Sequence, residues 1–80
     1  MEKFTVELTA ANSCGVLHHI SGVYAKCRIN IDALTFAPEA ESELAVMQVT
    51  SKGNESVRTH LLKLLLKLYD VKSVTLTQPK

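Results

Sequence analysis

Apolar and polar residues alternate without a break over residues 3–10. Phe4, Val6, Leu8 and Ala10 fall on one side, and Thr5, Glu7 and Thr9 fall on the other. A period of two is that of a strand with one face buried. The pattern then changes. Asn12-Ser13-Cys14-Gly15 is polar and turn-like. Asn and Ser are good helix N-caps, so a helix is predicted to open near Cys14 or Gly15. Val16, Ile20, Val23 and Cys27 follow at helical spacing, flanked by Leu17 and Tyr24, to an end near Cys27 or Arg28. Residues 30–37 (NIDALTFA) and 43–51 (ELAVMQVTS) predict two further strands, joined by a turn over residues 38–42. Both are more apolar than a one-sided pattern, which leaves open which of their residues face the helices. A polar break at residues 51–54 precedes a second helix over residues 55–69, with Val57, Leu61, Leu64, Leu65 and Leu68 as its core stripe and Asp70 as its end. A last strand over residues 71–77 carries Val74 and Leu76, and residues 78–80 are expected to fray.

The order β-α-β-β-α-β predicts an α+β, ferredoxin-like sandwich. Its economical form is a four-stranded antiparallel sheet with two helices on one face. Eighty residues make one domain, 1–80, and no linker or low-complexity tract divides it. With 46% hydrophobic and 21% charged residues the chain is globular rather than disordered. A core this small is marginal alone, so a homodimer is expected. A disulfide is not the expected remedy. Cys14 and Cys27 sit at opposite ends of the first helix, about 20 Å apart at a rise of about 1.5 Å per residue, beyond the ~7 Å that a bridge spans. Free thiols suit a cytoplasmic location. A net charge of +1 with no basic run argues against nucleic acid. No apolar stretch approaches a membrane span, and no secretory signal precedes the first strand.

The candidate chemistry lies in the first turn. Unpaired backbone N–H groups at a helix N-terminus favour an anion, and Gly15 permits close approach to the backbone. Asn12 and Asn30 both donate and accept hydrogen bonds, which suits the two charged ends of an amino acid. Val16, Ile31 or Leu34 would then wall an aliphatic side chain. The plainer alternative is that Asn12 only caps the helix and Gly15 only permits the turn.

Other chemistries lack their residues. His18 and His19 diverge by about 100° on a helix and have no spaced companion, so no metal site is expected. His60 reads as a surface residue. Cys14 has no His–acid arrangement to make it a nucleophile. Glu39, Glu41 and Glu43 read as a solvated loop edge. No catalytic residue and no cofactor is expected. The same fold serves RNA-recognition, copper-chaperone and acylphosphatase modules. This chain lacks their exposed strand aromatics, their Cys-x-x-Cys and their phosphate-loop Arg.

Two surfaces stand out as interfaces. The first helix has a second face of His18, Ser21, Gly22 and Ala25. Glycine inside a helix costs roughly 1 kcal/mol, so Gly22 needs a reason. Either it packs tightly against this chain's own sheet or loop, or the small face packs on the same helix of a second protomer. On the second helix, Leu62, Leu66 and Tyr69 make a patch beyond the core stripe, which suits a partner subunit.

The stretch VELTAANSCGVLHHISGVYAKCRINIDALTFAP, residues 6–38, resembles the start of the small regulatory subunits of acetolactate synthase (acetohydroxyacid synthase). The shared features are a strand ending in Asn-x-x-Gly, a helix opening Gly-Val-Leu, and Asn-Ile-acidic-x-Leu-Thr. Residues 65–74 fit that family's second helix and fourth strand. The resemblance implies an ACT domain, a non-catalytic regulatory module that pairs into dimers. It implies a branched-chain amino acid such as valine bound between protomers by Asn12, Gly15 and Val16 of one chain and Asn30 of the other. It also implies a separate acetolactate synthase catalytic subunit as partner, under feedback control. The alternatives are a ligand-free dimerisation module or a sensor of another amino acid. Two positions depart from the family: Cys14 replaces a common Pro, and Arg28 replaces a Gly that would supply a left-handed helix cap.

Overall fold

The computed structural model of the chain describes residues 3–12, 15–39 and 41–77. Its elements are β1 (Lys3–Ala11), α1 (Val16–Lys26), β2 (Ile31–Pro38), β3 (Leu44–Lys52), α2 (Glu55–Leu66) and β4 (Val71–Thr77). The strands form one sheet in the order β2-β3-β1-β4, every neighbouring pair antiparallel. β1 and β2 are therefore parallel with β3 between them, and α1 makes the crossover. β3, α2 and β4 repeat the device around β1. This is the α+β, ferredoxin-like βαββαβ sandwich that the hydrophobic pattern predicts.

The centre of the molecule is the pairing of β1 with β3. Phe4, Val6, Leu8 and Ala10 stand opposite Ser51, Val49, Met47 and Ala45, and all eight are fully buried. Both strands alternate strictly, so one face of the central pair is dry and the other is polar. On the polar face Thr5 and Thr50 share a hydroxyl hydrogen bond of 3.0 Å, and Gln48 donates to Glu7 at 3.3 Å. From α1, Val16, Ile20 and Tyr24 close over the dry face, and from α2, Leu61 and Leu65. Tyr24, expected at the flank of its helix, is at the centre of the stripe. Val23 and Cys27 are half-buried beside it, and Leu17 is exposed.

The apolar residues of β2 have a different explanation. β2 is an edge strand, and none of its residues is fully buried. Ala33, Leu34 and Ala37 are exposed, while Ile31 and Phe36 are half-buried. Ile31 and Phe36 pack at the margin of the core, and the other apolar residues of the strand are left uncovered within this chain.

α2 is shorter than its hydrophobic pattern suggests. It ends at Leu66, not Tyr69. Lys67 and Leu68 donate to the carbonyls of Leu64 and Leu65, three residues back, and Val71 donates to Leu68 to complete a turn into β4. These tighter bonds end the α-helix before Tyr69. The stripe is also rotated. Leu62 packs against the core with Val57 and Leu68, and Leu64 is only half-buried. Glu39, Glu41, Glu43 and His60 are exposed.

Two local devices hold the helices in place. The chain leaves α1 through Arg28, the only non-glycine residue with positive φ among those described, at 59°. Arg28 N–H donates to Ala25 and Ile29 N–H donates to Tyr24. Those two bonds, with Ile29 buried beside Tyr24, form a Schellman cap. Separately, His19 Nδ1 lies 2.8 Å from Asp70 Oδ2 and ties α1 to the turn before β4. Asp70 is 4% exposed, and its backbone carbonyl accepts from Ala11 at 2.7 Å.

Two predictions follow from these devices. A non-glycine residue in the left-handed region costs about 1–2 kcal/mol. Glycine there returns about 0.4–1 kcal/mol of unfolded-state entropy. Arg28→Gly is therefore expected to stabilise the fold by roughly 0.5–1 kcal/mol in urea unfolding. His19→Ala leaves the Asp70 carboxylate buried without its side-chain partner. Its expected cost is roughly 1–3 kcal/mol in the same assay, against little change for exposed His18→Ala.

Candidate functional site

The N-cap of α1 is Gly15, in the left-handed conformation at φ 92°, and among the described residues no side chain caps the helix. No acidic residue stands in its first turn. α2 shows the contrast, with Asn54 Oδ1 accepting from Val57 N–H at 2.8 Å and Glu55 in the first turn. The alternative in which Asn12 serves only as the cap does not describe α1. Asn12 is exposed, and its backbone N–H donates to Glu43 at 2.7 Å, which continues the strand ladder. Gly15 meets nothing within 4 Å of an added Cβ, so its reason is backbone conformation, with open space above it. Val16 is buried at 2% exposure. Cys14 and Ser13 lie outside the described residues.

Asn30 is exposed just before β2. It does not meet Asn12 within the chain. Asn12 follows Ala11, which faces Leu44 at the start of β3; Ile31 faces Ser51 at the end of β3. The seven rises from Leu44 to Ser51, at about 3.3 Å each, set those two ends roughly 23 Å apart along the strand, and each asparagine lies one residue further out. A site that uses both asparagines needs two copies of the chain.

The small face of α1 is open to solvent. His18, Ser21, Gly22 and Ala25 are all exposed, and an added Cβ on Gly22 meets nothing within 4 Å. Gly22 therefore does not serve close packing within this chain. The hydroxyl of Ser21 donates to the His18 carbonyl at 3.2 Å. A hollow of about 440 Å³, lined by Ser21, Tyr24, Ala25, Arg28, Asn30 and Ile31 among others, joins this face to the start of β2. The helix face and Asn30 thus belong to one continuous surface. The Tyr24 hydroxyl is buried and has no partner among the described residues. Burial, with the Cys27 thiol as a smaller cause, pushes its pKa well above the ordinary tyrosine range, so the group is neutral.

Leu66, at the end of α2, and Tyr69, in the turn after it, are 61% and 83% exposed, whereas Leu62 is half-buried against the core. The Tyr69 ring lies 5.9 Å from that of His19. The residue that the sequence pattern does not single out is Asp70. It reads as a helix terminator, yet it is buried and paired with His19 on one oxygen, and the other oxygen has no partner among the described residues. Nothing in the spacing of residues 19 and 70 announces the contact. Among the described residues no group of three His, Cys, Asp or Glu side chains is placed to hold a metal ion. No helix among them is long and apolar enough to cross a membrane.

Comparison with known proteins follows this geometry. Residues 6–73 match the sequence model described as the AHAS small subunit-like ACT domain. The chain is similar to the acetolactate synthase isozyme 3 small subunit of Escherichia coli strain K12. Identity is 34% over 64 residues, covering 80% of this chain and 39% of that one. It is also similar to a probable acetolactate synthase small subunit of Archaeoglobus fulgidus, at 27% identity over 73 residues, covering 91% and 46%. The crystal structure of the acetolactate synthase small subunit from Thermotoga maritima superposes with a TM-score of 0.88 at 23% identity, over 99% of this chain and 49% of that one. The chain thus spans less than half the length of these relatives, and the structural likeness establishes the fold. The match over residues 6–73, laid on the observed sandwich, places the chain in the family of AHAS small subunit-like ACT domains.

Proposed function

We propose that this domain is the amino-acid-sensing module of a regulatory subunit. It would bind a branched-chain amino acid, valine first, between two copies of itself and transmit that state to a separate acetolactate synthase catalytic subunit. It performs no catalysis of its own and uses no cofactor. The observation that carries this reading is the uncapped N-terminus of α1 at Gly15, far from Asn30 in its own chain.

Two-fold pairing of the bare β2 edge supplies the missing half. An antiparallel β2–β2 contact sets the Asn30 end of one strand beside the Pro38 end of its mate. Pro38 pairs with Ala45 on β3, and the next residue of β3, Leu44, faces Ala11. The partner's Asn12 turn therefore lies at the same end as the first chain's Asn30. The carboxylate would take the free N–H groups at Gly15 and Val16, helped by the helix dipole. The asparagine amides would hold its polar ends. Ile31 and Leu34, half-buried and exposed on β2, would contact the aliphatic side chain. His18, Ser21, Gly22 and Ala25 would pack across the two-fold axis. In the same reading Leu66 and Tyr69, with Leu62 at their edge, contact the catalytic subunit.

Calorimetric titration with valine, leucine and isoleucine tests the site. A hydrogen bond to a charged group is worth about 1.5–3 kcal/mol, so Asn12→Ala and Asn30→Ala are each expected to weaken valine binding by roughly tenfold or more. Gly22→Leu is tolerated by the isolated fold, since nothing lies within 4 Å of its Cβ. By light scattering it is expected to become monomeric and to lose valine together. A dimer that binds none of the three amino acids would leave a dimerisation module in place of a sensor. For the partner surface, Leu66→Lys is expected to abolish co-purification with an acetolactate synthase catalytic subunit while valine affinity stays unchanged. Retained co-purification refutes that surface.

A further inference from the structure

Two backbone irregularities flank Asn30, and both belong to charged residues that line one hollow. Arg28 holds the left-handed conformation at φ 59°, where glycine is favoured. Asp32 is the extra residue where the β2–β3 register shifts between Ile31 and Ala33, and such bulges re-aim a side chain. Backbone held in a sparsely populated region is a recurrent mark of binding sites. Lys52, the last residue of β3, lines the same hollow with Asn30. Buried Gly53 lines it too, and an added Cβ there would meet Val57 Cγ1 at 3.1 Å and Phe4 Cε1 at 3.3 Å. Cys27, Ile29 and Val57 supply the less polar wall.

The hollow measures about 340 Å³, at the small end of the ~300–1,000 Å³ range of small-molecule clefts. It lies between the α1–β2 and β3–α2 loops of a single chain, at the far end of the sheet from Gly15. Its charges have no partners: among the described residues, Arg28, Lys52 and Asp32 form no ion pair. Two cations and one carboxylate leave a net charge of +1. A neutral zwitterion would leave one cation unmatched, and a simple anion would leave Asp32 unmatched.

We propose that this hollow is a second ligand site, within one protomer, for an acidic amino acid: an α-amino dicarboxylate of the size of glutamate. One carboxylate pairs with the Arg28 guanidinium, whose planar fork suits it. The other carboxylate pairs with Lys52, the ammonium pairs with Asp32, and the methylene chain lies against Ile29 and Val57. The proposal does not rest on valine binding, and only Asn30 is common to the two sites.

The experiment is an amide chemical-shift titration of the whole chain with L-glutamate. The expected result is saturable shifts at Arg28, Asp32 and Gly53. Arg28→Gly, which relieves the backbone and keeps the fold, is expected to reduce the affinity at least about tenfold, and Asp32→Asn likewise. Glutamine, which lacks the second carboxylate, and glutarate, which lacks the ammonium, are each expected to bind at least about tenfold more weakly. Asn12→Ala, which removes the proposed interface site, leaves the glutamate shifts unchanged, so failure of one site is distinguishable from failure of the other. Unmoved amides at millimolar glutamate overturn the proposal. So does unaltered affinity in Arg28→Gly, or equal binding of glutamine or glutarate.

Discussion

The antiparallel register of β1 on β3 is the constraint on which the rest of the molecule depends. It sets Phe4, Val6, Leu8 and Ala10 opposite Ser51, Val49, Met47 and Ala45, so that one continuous apolar face lies at the middle of the sheet. A one-residue slip would turn that face to water and bring Thr5, Glu7 and Gln48 inside. Burying such a face is worth about 25 cal/mol for each square ångström of apolar surface removed from water. Both helices are drawn to it, and Tyr24, Leu61 and Leu65 seal it. With only two helices available, they cover the centre and cover β2 only at Ile31 and Phe36.

That allocation determines where function can reside. The outer strand keeps unpaired backbone groups and apolar side chains on both faces, a combination that natural proteins usually protect. The crossovers place the loops at opposite ends of the sheet. Asn12 and Gly15 lie at one end with the start of β3. The Arg28–Asp32 segment lies at the other end with the exit from β3. A single chain therefore carries two separate polar ends joined by an apolar edge. An antiparallel pairing of two such edges would bring unlike ends together without any change in the fold.

Polar groups buried at the seams have a structural part of their own. Asp70 accepts from Ala11 through its backbone and meets His19 through its side chain, so the start of α1, the end of β1 and the turn before β4 share one residue. A buried carboxylate is tolerated when it is paired and hydrogen-bonded. Because this clasp stands one turn from Gly15, it also holds the uncapped end of α1 against the sheet.

Much of the architecture was legible in the sequence because it rests on local periods. The alternation of residues 3–10 and the helical spacing after Gly15 required no knowledge of partners. The left-handed cap at Arg28 was expected only through the resemblance, which has a glycine at that position. Tertiary structure decided the rest. Whether β2 or β3 was buried depended on strand order, and both segments look alike as sequences. Leu62 joined the core and α2 ended at Leu66 because the chain had to turn into β4, a demand from the sheet that no helix pattern contains. The His19–Asp70 contact joins residues 51 positions apart, a distance at which spacing carries no signal. The separation of Asn12 from Asn30 followed from the same topology. Asn12 and Asn30 could be singled out from the sequence, but that they stand at opposite ends of one sheet, where a single chain cannot bring them together, is a property of the fold alone.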